Sequence, residues 1–92
     1  MPLNYRAIRP DVLDSLKRYI EHGIPTGGFL EAVLSNDLRE AIGRADDYNM
    51  RTLPEIVSWI YNEAPSGCWG SPKRVTEWIY RRNSNVAETE NP

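Results

Sequence analysis

The sequence predicts an all-α protein, folded as a compact bundle of four short helices, or of five if the second helical segment is broken. Apolar residues recur at intervals of three and four along most of the chain, which is the period of amphipathic helices. Proline, glycine and small polar residues separate these segments at positions that suit helix ends. No segment alternates apolar and polar residues over the length of a strand, so no sheet is expected.

The length of 92 residues fits a single domain, which we assign to residues 1–82. The polar remainder, residues 83–92, is expected to be disordered because it has too little apolar surface to offset the entropy cost of ordering. The domain boundary therefore falls at the end of the last helical pattern.

The first helix is predicted over residues 10–22, with Pro10 at its first position and Gly23 as its C-terminal stop. The second segment follows the helical period over residues 28–46. Its middle, residues 35–37, combines Ser, Asn and Asp, which favour helix caps. One continuous helix and two helices broken there both fit this pattern, and we prefer the break.

The third helix is predicted to begin at Thr52 and to end before Pro65. Thr52 and Glu55 have the spacing of a capping box. Five apolar residues are expected to form its buried face: Leu53, Ile56, Val57, Ile60 and Tyr61. The fourth helix is predicted to begin with Ser71 as its cap and Pro72 at its first position. Its inward face is expected to consist of Val75, Trp78 and Ile79.

The composition argues against several functional classes. The formal net charge of -2 and the pI of about 5.3 disfavour a dedicated nucleic-acid binder. Four cations nevertheless cluster near the end of the chain, at Lys73, Arg74, Arg81 and Arg82. The single cysteine, Cys68, permits no intrachain disulfide and no cysteine-based zinc cluster. The apolar runs are far shorter than the ~20 residues of a membrane span. We therefore expect a cytoplasmic protein without a metal, a cofactor or a membrane contact.

Two glycines, Gly27 and Gly28, precede the second segment and form the first candidate site. Backbone N–H groups at a glycine-flanked helix start can approach a phosphate or carboxylate closely, and the helix dipole adds positive potential. The alternative is a tight turn between helices that requires a positive φ angle, which is the commoner use of glycine pairs.

The loop before the fourth helix is the second candidate site. It places Trp69 between two glycines, where an indole ring can stack on a flat ligand or anchor a partner protein. The amides of Gly70 and Ser71 open the next helix and form a second candidate anion site. Nearby Asn62 is a candidate polar contact for the same ligand. Alternatively, Trp69 folds back over the core of a domain that is short of apolar area.

Asn36 and Arg44 complete the predicted ligand set. Asn36 interrupts an apolar stripe, and Arg44 can pair with an anionic ligand through two parallel hydrogen bonds. A solvated polar face with helix caps is the alternative. Catalysis has little support, because nothing in the spacing of His22 and Cys68 requires a base and a nucleophile. We therefore predict that the protein has no catalytic residues and is not an enzyme.

Six strings of the sequence are distinctive: RYIEHGIP at 18–25, GGFL at 27–30, AVLSNDL at 32–38, RAD at 44–46, YNEAP at 61–65 and GCWGSP at 67–72. They resemble a family of very small bacteriophage and prophage proteins, and the similarity covers most of the chain. The resemblance implies a phage origin and action inside a bacterial cell, and it supplies no catalytic residues. By analogy of context it implies an accessory factor that blunts a host defence.

The leading hypothesis is a non-catalytic counter-defence protein that sequesters a small, anionic, nucleotide-like molecule. Its predicted binding residues are Gly27, Gly28, Asn36, Arg44, Asn62, Trp69, Gly70 and Ser71. The alternative is an inhibitor of a host defence protein that uses Trp69 and Trp59 as surface anchors. A small DNA-binding regulator is a third and weaker alternative. The aromatic content exceeds what four short helices bury easily, so a homo-oligomer is also expected.

Overall fold

A computed structural model describes the backbone of residues 4–90 and the side chains of residues 4–83. In that part of the chain there are six α-helices, two short 3₁₀ turns and no strand, which confirms the all-α prediction. The helices are α1 (Pro10–His22), α2 (Gly28–Leu34), α3 (Leu38–Arg44), α4 (Asp47–Arg51), α5 (Leu53–Glu63) and α6 (Pro72–Glu90). The 3₁₀ turns are Tyr5–Ala7 and Ser66–Cys68. The helix count therefore exceeds the four or five that the sequence pattern predicts.

The predicted second segment consists of two helices, α2 and α3. The break falls at residues 35–37, which confirms the preferred interpretation. Asn36 adopts a left-handed conformation with a φ angle of 63°, which Asn tolerates better than most residues. The N–H of Asn36 and the N–H of Asp37 donate to carbonyl oxygens in the last turn of α2. Asp37 then caps α3, because its Oδ1 accepts a hydrogen bond from the N–H of Glu40 at 3.2 Å.

A short helix that the sequence pattern does not predict, α4, joins α3 to α5. Asp46 caps it by accepting a 2.7 Å hydrogen bond from the N–H of Asn49, and chiefly this bond lowers the pKa of the Asp46 carboxyl. Thr52 precedes α5, yet its hydroxyl donates to the carbonyl oxygen of Tyr48 at 2.9 Å. The predicted capping box between Thr52 and Glu55 is therefore wrong, because the Thr52 side chain satisfies the end of α4 instead.

The core lies where α6 packs against α1, α2 and the 3₁₀ turn that precedes it. Its fully buried side chains are Leu16, Tyr19, Leu34, Ile56 and Cys68. Its other buried members are Ile8, Val12, Leu30, Ile60 and Val75. Each fully buried Leu or Ile stabilises the fold by roughly 1.5–3 kcal/mol. Trp59 packs against this cluster and is partly buried, so it is not the exposed surface anchor of the predicted protein-inhibitor alternative.

Two helices expose apolar residues that the helical period predicts to be buried. On α5, Val57 is 47% exposed and Tyr61 is 70% exposed. On α3, Leu38 is 63% exposed and Ile42 is 44% exposed. The prediction that all five apolar residues of α5 form one buried face is therefore wrong. The helix buries Ile56 and Ile60 in the core and presents Val57 and Tyr61 on a second face, which the period alone does not distinguish.

The last helix, α6, extends to Glu90 and so overlaps the tail, residues 83–92, that the sequence predicts to be disordered. The side chains of residues 84–90 and all of residues 91–92 lie outside the described part of the structure, and the disorder stays a prediction. Across the described residues, no helix combines the length and the apolar character that a membrane span requires.

Candidate functional site

An apolar groove lies between α3, α5 and the loop before α6, and its volume is about 200 Å³. Eight apolar residues line it: Val33, Leu38, Ala41, Leu53, Val57, Ile60, Tyr61 and Trp69. The other lining residues are Asn36 and Asp37. Among these described residues, Asp37 therefore supplies the only charge. We call this surface the α3–α5 groove.

Trp69 forms one wall of the groove. Its indole packs partly buried against the core and meets the Tyr61 ring at a centroid distance of 5.9 Å and an interplanar angle of 57°. Tilted aromatic pairs contribute about 0.5–1.5 kcal/mol beyond the area that they bury. The indole Nε1 is buried and has no hydrogen-bond partner within the described part of the chain. Trp69 therefore combines both sequence-based interpretations, since it packs inward and also lines a surface groove.

The loop that carries this indole is fixed by hydrogen bonds to three helices. Tyr19 of α1 donates from its hydroxyl to the carbonyl oxygen of Cys68 at 2.7 Å. The N–H of Gly70 donates to the carbonyl oxygen of Leu34, at the end of α2, also at 2.7 Å. Arg74 of α6 donates to two further carbonyl oxygens of the loop. The groove wall is therefore held in place by the fold itself.

The same contacts occupy much of the predicted anion site at Gly70 and Ser71. The N–H of Gly70 already donates to the Leu34 carbonyl oxygen of α2, and the Gly70 φ angle of 119° is one that favours glycine. The Ser71 hydroxyl accepts a hydrogen bond from the N–H of Arg74 at 3.2 Å and caps α6. Pro72 has no N–H to donate. This helix start presents fewer free donors than the sequence pattern predicts.

Gly27 and Gly28 lie at the start of α2, outside the groove. Neither adopts a positive φ angle, so the predicted glycine turn falls instead at Gly23, whose φ angle is 68°. A Cβ atom on Gly28 would lie 2.9 Å from a guanidinium nitrogen of Arg44, so the glycine permits this close approach. The shallow surface beside the pair is lined by Asp11 and by no described cation, which does not favour an anion.

Arg44 is committed to an ion pair within α3. Its Nε donates to a carboxylate oxygen of Glu40 at 2.8 Å. This hydrogen bond and the charge of Glu40, with a smaller contribution from Glu31, raise the pKa of Arg44 above its ordinary value. A second surface, with a volume of about 310 Å³, lies beside this ion pair. It is lined by Gly28, Arg44 and the carboxylates of Glu31, Asp37 and Glu40. We call this surface the acidic depression.

The two predicted asparagine contacts lie apart. Asn36 lines the groove, where its left-handed backbone also ends α2. Asn62 donates from Nδ2 to the Tyr5 hydroxyl at 3.1 Å and to the Ser58 carbonyl oxygen at 3.0 Å. It therefore ties the N-terminal 3₁₀ turn to α5. Of the predicted ligand set, only Asn36 and Trp69 lie in the groove.

Cys68 lacks the surroundings of a catalytic nucleophile. It is completely buried, and burial raises the pKa of its thiol to about 11, whereas reactive cysteines are accessible and have lowered pKa values. His22 lies exposed at the end of α1, 3.7 Å from the carboxylate of Glu21. Over the part of the chain that was described, no group of three or more His, Cys, Asp and Glu residues is placed to hold a metal ion.

The exposed apolar residues of the groove, Leu38, Val57 and Tyr61, are absent from the ligand set that the sequence predicts. The helical period assigns such residues to a buried face, so it does not mark them as a site. One signal in the sequence bears on them: α5 has apolar residues at 53, 56, 57, 60 and 61, a wider stripe than one core contact needs. The aromatic surplus of the chain points in the same direction.

No protein-family model, curated protein or solved structure matches this chain. The fold and the surface define its class: a small all-α protein with an apolar groove and an adjoining acidic depression. The size and the charges of these two surfaces are the basis for inferring a function.

Proposed function

We propose that this protein is a non-catalytic binding module that captures an apolar segment of another protein in the α3–α5 groove. One observation supports the proposal above the others: Leu38, Val57 and Tyr61 expose apolar side chains around one groove. Contiguous apolar surface in contact with water is unfavourable, and it commonly marks a partner site. Aromatic side chains such as Tyr61 and Trp69 are typical anchors of protein interfaces.

The size of the groove favours protein side chains over a complete nucleotide. Small-molecule sites commonly have volumes of ~300–1,000 Å³, whereas the groove has about 200 Å³. One or two apolar side chains of a partner helix suit that smaller volume. The arrangement corresponds to helix-in-groove recognition, in which apolar residues three and four positions apart act as anchors.

The nucleotide-sequestration hypothesis has less support from this geometry. Gly28 and Arg44 lie outside the groove, and Arg44 is paired with Glu40. Asp37, the one charged residue among the described residues that line the groove, repels phosphate. Nucleotide sequestration remains the alternative function, and calorimetry with cyclic and ADP-ribose-type nucleotides tests it directly.

The resemblance to bacteriophage proteins supplies a biological setting for the proposal. In that setting the partner is a host defence protein in the bacterial cytoplasm, and occupancy alone blocks it. No catalytic step is needed when copies of the inhibitor outnumber their target. A second copy of this chain is a competing occupant of the groove, so the oligomeric state belongs to the test.

Selection from a displayed library of random helical peptides tests the proposal. The wild-type protein should enrich peptides whose apolar residues recur three and four positions apart, because that spacing forms one helix face. Val57→Asp is the counter-target, since it places a charge on the groove wall at a side chain that is already exposed. We expect this substitution to weaken the enriched peptides more than about tenfold, which is ~1.4 kcal/mol.

Ile24→Asp is the matched control. The exposed fraction of Ile24, 45%, is similar to the 47% of Val57, and Ile24 does not line the groove. Peptides that bind the wild-type and Ile24→Asp proteins but not Val57→Asp support the proposal. Peptides that bind all three proteins alike, or a selection that enriches nothing, contradict it. A wild-type dimer in light scattering that Val57→Asp dissociates would assign the groove to a second copy instead.

A further inference from the structure

The acidic depression adjoins the α3–α5 groove at one residue, Asp37, which lines both surfaces. Glu31 in the first turn of α2 and Glu40 in the first turn of α3 line the depression beyond it. The apolar wall of the groove therefore ends at a group of carboxylates.

The charges of the depression do not cancel. Glu31, Asp37 and Glu40 are three acids, and Arg44 is the only cation among the described lining residues. Arg44 is already engaged by Glu40 through the 2.8 Å contact. An excess of negative charge is therefore left beside the groove, and the described residues that line the groove include no cation to balance it.

We propose that the segment bound in the groove is a basic amphipathic helix that carries a Lys or Arg side chain next to its apolar anchor. The anchor fills the space beside Trp69 and Tyr61, and the cation lies against Asp37 and Glu31. This inference rests on the proposed function and specifies the chemistry of its partner. Complementary charge selects the correct partner and disfavours acidic segments by like-charge repulsion.

Three versions of one selected peptide test the charge requirement. They share their apolar residues and differ only at the flanking positions, which are Lys, Gln or Glu. Fluorescence anisotropy measures the Kd of each peptide for the wild-type, Asp37→Asn and Asp14→Asn proteins. Asn at position 37 keeps a side-chain oxygen that can cap α3, so the substitution removes the charge and retains the cap. Asp14 is exposed on α1 outside both surfaces, so Asp14→Asn removes the same charge elsewhere.

We expect the Lys peptide to bind the wild-type protein about three- to fivefold more tightly than the Gln peptide, the range of exposed ion pairs. The Glu peptide should bind more weakly than the Gln peptide. Asp37→Asn should remove most of the advantage of the Lys peptide, and Asp14→Asn should leave it in place. Added salt should weaken the Lys peptide more than the Gln peptide, because the exposed charges are screened.

Equal affinity for the Lys and Gln peptides would overturn the charge requirement and leave the proposed function intact. An advantage of the Lys peptide that Asp37→Asn and Asp14→Asn reduce equally would also overturn it, since the effect would then follow net charge. If none of the three peptides binds the wild-type protein, the proposed function fails and this inference fails with it.

Among the described helices, α6 of a second copy of the chain offers similar chemistry. Tyr80 on α6 is exposed, and Arg81 and Arg82 follow it. Light scattering of the wild-type and Tyr80→Asp proteins separates this case from a distinct partner. A wild-type monomer supports the proposal, and a dimer that Tyr80→Asp dissociates overturns it in favour of self-association through α6.

Discussion

The hydroxyl of Tyr19 donates a 2.7 Å hydrogen bond to the carbonyl oxygen of Cys68. Tyr19 is completely buried in α1, and Cys68 ends the 3₁₀ turn directly before Trp69. The indole Nε1 of Trp78 on α6 in turn donates to the Tyr19 carbonyl oxygen at 3.0 Å. One core residue therefore connects two helices to the loop that forms a wall of the groove.

Loss of the Tyr19 hydroxyl should destabilise the domain. Tyr19→Phe leaves a buried carbonyl oxygen without its donor, at a cost of about 1–3 kcal/mol in the free energy of unfolding. Tyr48→Phe is the matched control, because Tyr48 donates to the carbonyl oxygen of Ala7 at 2.6 Å but is 38% exposed, so water can replace its bond. Urea denaturation should show the larger loss for Tyr19→Phe. Equal losses would mean that burial does not set the strength of this contact.

Two tyrosines of nearly equal exposure separate binding from stability. Tyr61 in the groove is 70% exposed, and Tyr80 on α6 is 72% exposed. Tyr80→Asp should change the free energy of unfolding by about 1 kcal/mol or less, because exposed substitutions usually have small effects. Tyr61→Asp should cost up to about 1.5 kcal/mol, because it also loses the ring contact with Trp69. Only Tyr61→Asp should weaken a groove-binding peptide, by about tenfold or more. Comparable weakening by both substitutions in anisotropy titrations would place the peptide outside the groove.

Alanine should have different effects at two glycines. A Cβ atom on Gly23, where the φ angle is 68°, would lie 2.5 Å from the Cβ of Arg82. Gly23→Ala should therefore cost more than about 2 kcal/mol of stability. A Cβ atom on Gly28 meets chiefly the far end of the Arg44 side chain, which can shift by rotation about its single bonds, so Gly28→Ala should cost less than about 1 kcal/mol. Thermal unfolding compares the two, and a larger loss at Gly28 would contradict the role of Gly23 as the stop of α1.

Alkaline pH should weaken the fold. Burial raises the pKa of the Cys68 thiol from 9.0 to about 11, and burial also raises the pKa of the Tyr19 hydroxyl. Both groups hold their protons more tightly in the folded state. The contribution of Cys68 is therefore complete below about pH 9 and is lost as the pH rises to about 11, and the contribution of Tyr19 is lost only above its ordinary pKa of 10.0.

Urea midpoints measured across this pH range test the sign of the effect. The midpoint of the wild-type protein should fall as the pH rises, and Cys68→Ala should show a smaller fall because one of the two titrating groups is gone. A midpoint that stays constant or rises would show that the buried thiol and hydroxyl do not stabilise the fold through their protons.

Helix ends were predictable where one residue restricts the backbone. Pro10 and Gly23 bound α1, and Pro72 begins α6, because proline and glycine favour those particular φ angles. The break at Asn36 was also within reach of the sequence, since Asn both tolerates the left-handed conformation and favours helix ends. The helix α4 could not be predicted, because its five residues form little more than one turn and leave no periodic pattern.

The candidate site was predictable only in part. Trp69 lines the groove. Its position between two loop glycines predicts a binding role for the indole. Gly28 and Arg44 lie elsewhere because tertiary packing, which the sequence does not display, decides which helix ends meet. Leu38 and Tyr61 could not be identified because the helical period does not distinguish a face that contacts the core from a face that contacts a partner.

Chemical-shift mapping of the tightest selected peptide on the isotope-labelled protein is the most direct test of the central claim that a partner segment lies between α3 and α5. We predict that the largest shifts occur at the amides of Leu38, Val57 and Tyr61 and at the indole N–H of Trp69. Shifts concentrated instead at Gly28 and the start of α2, or along α1 and α6, would contradict the claim.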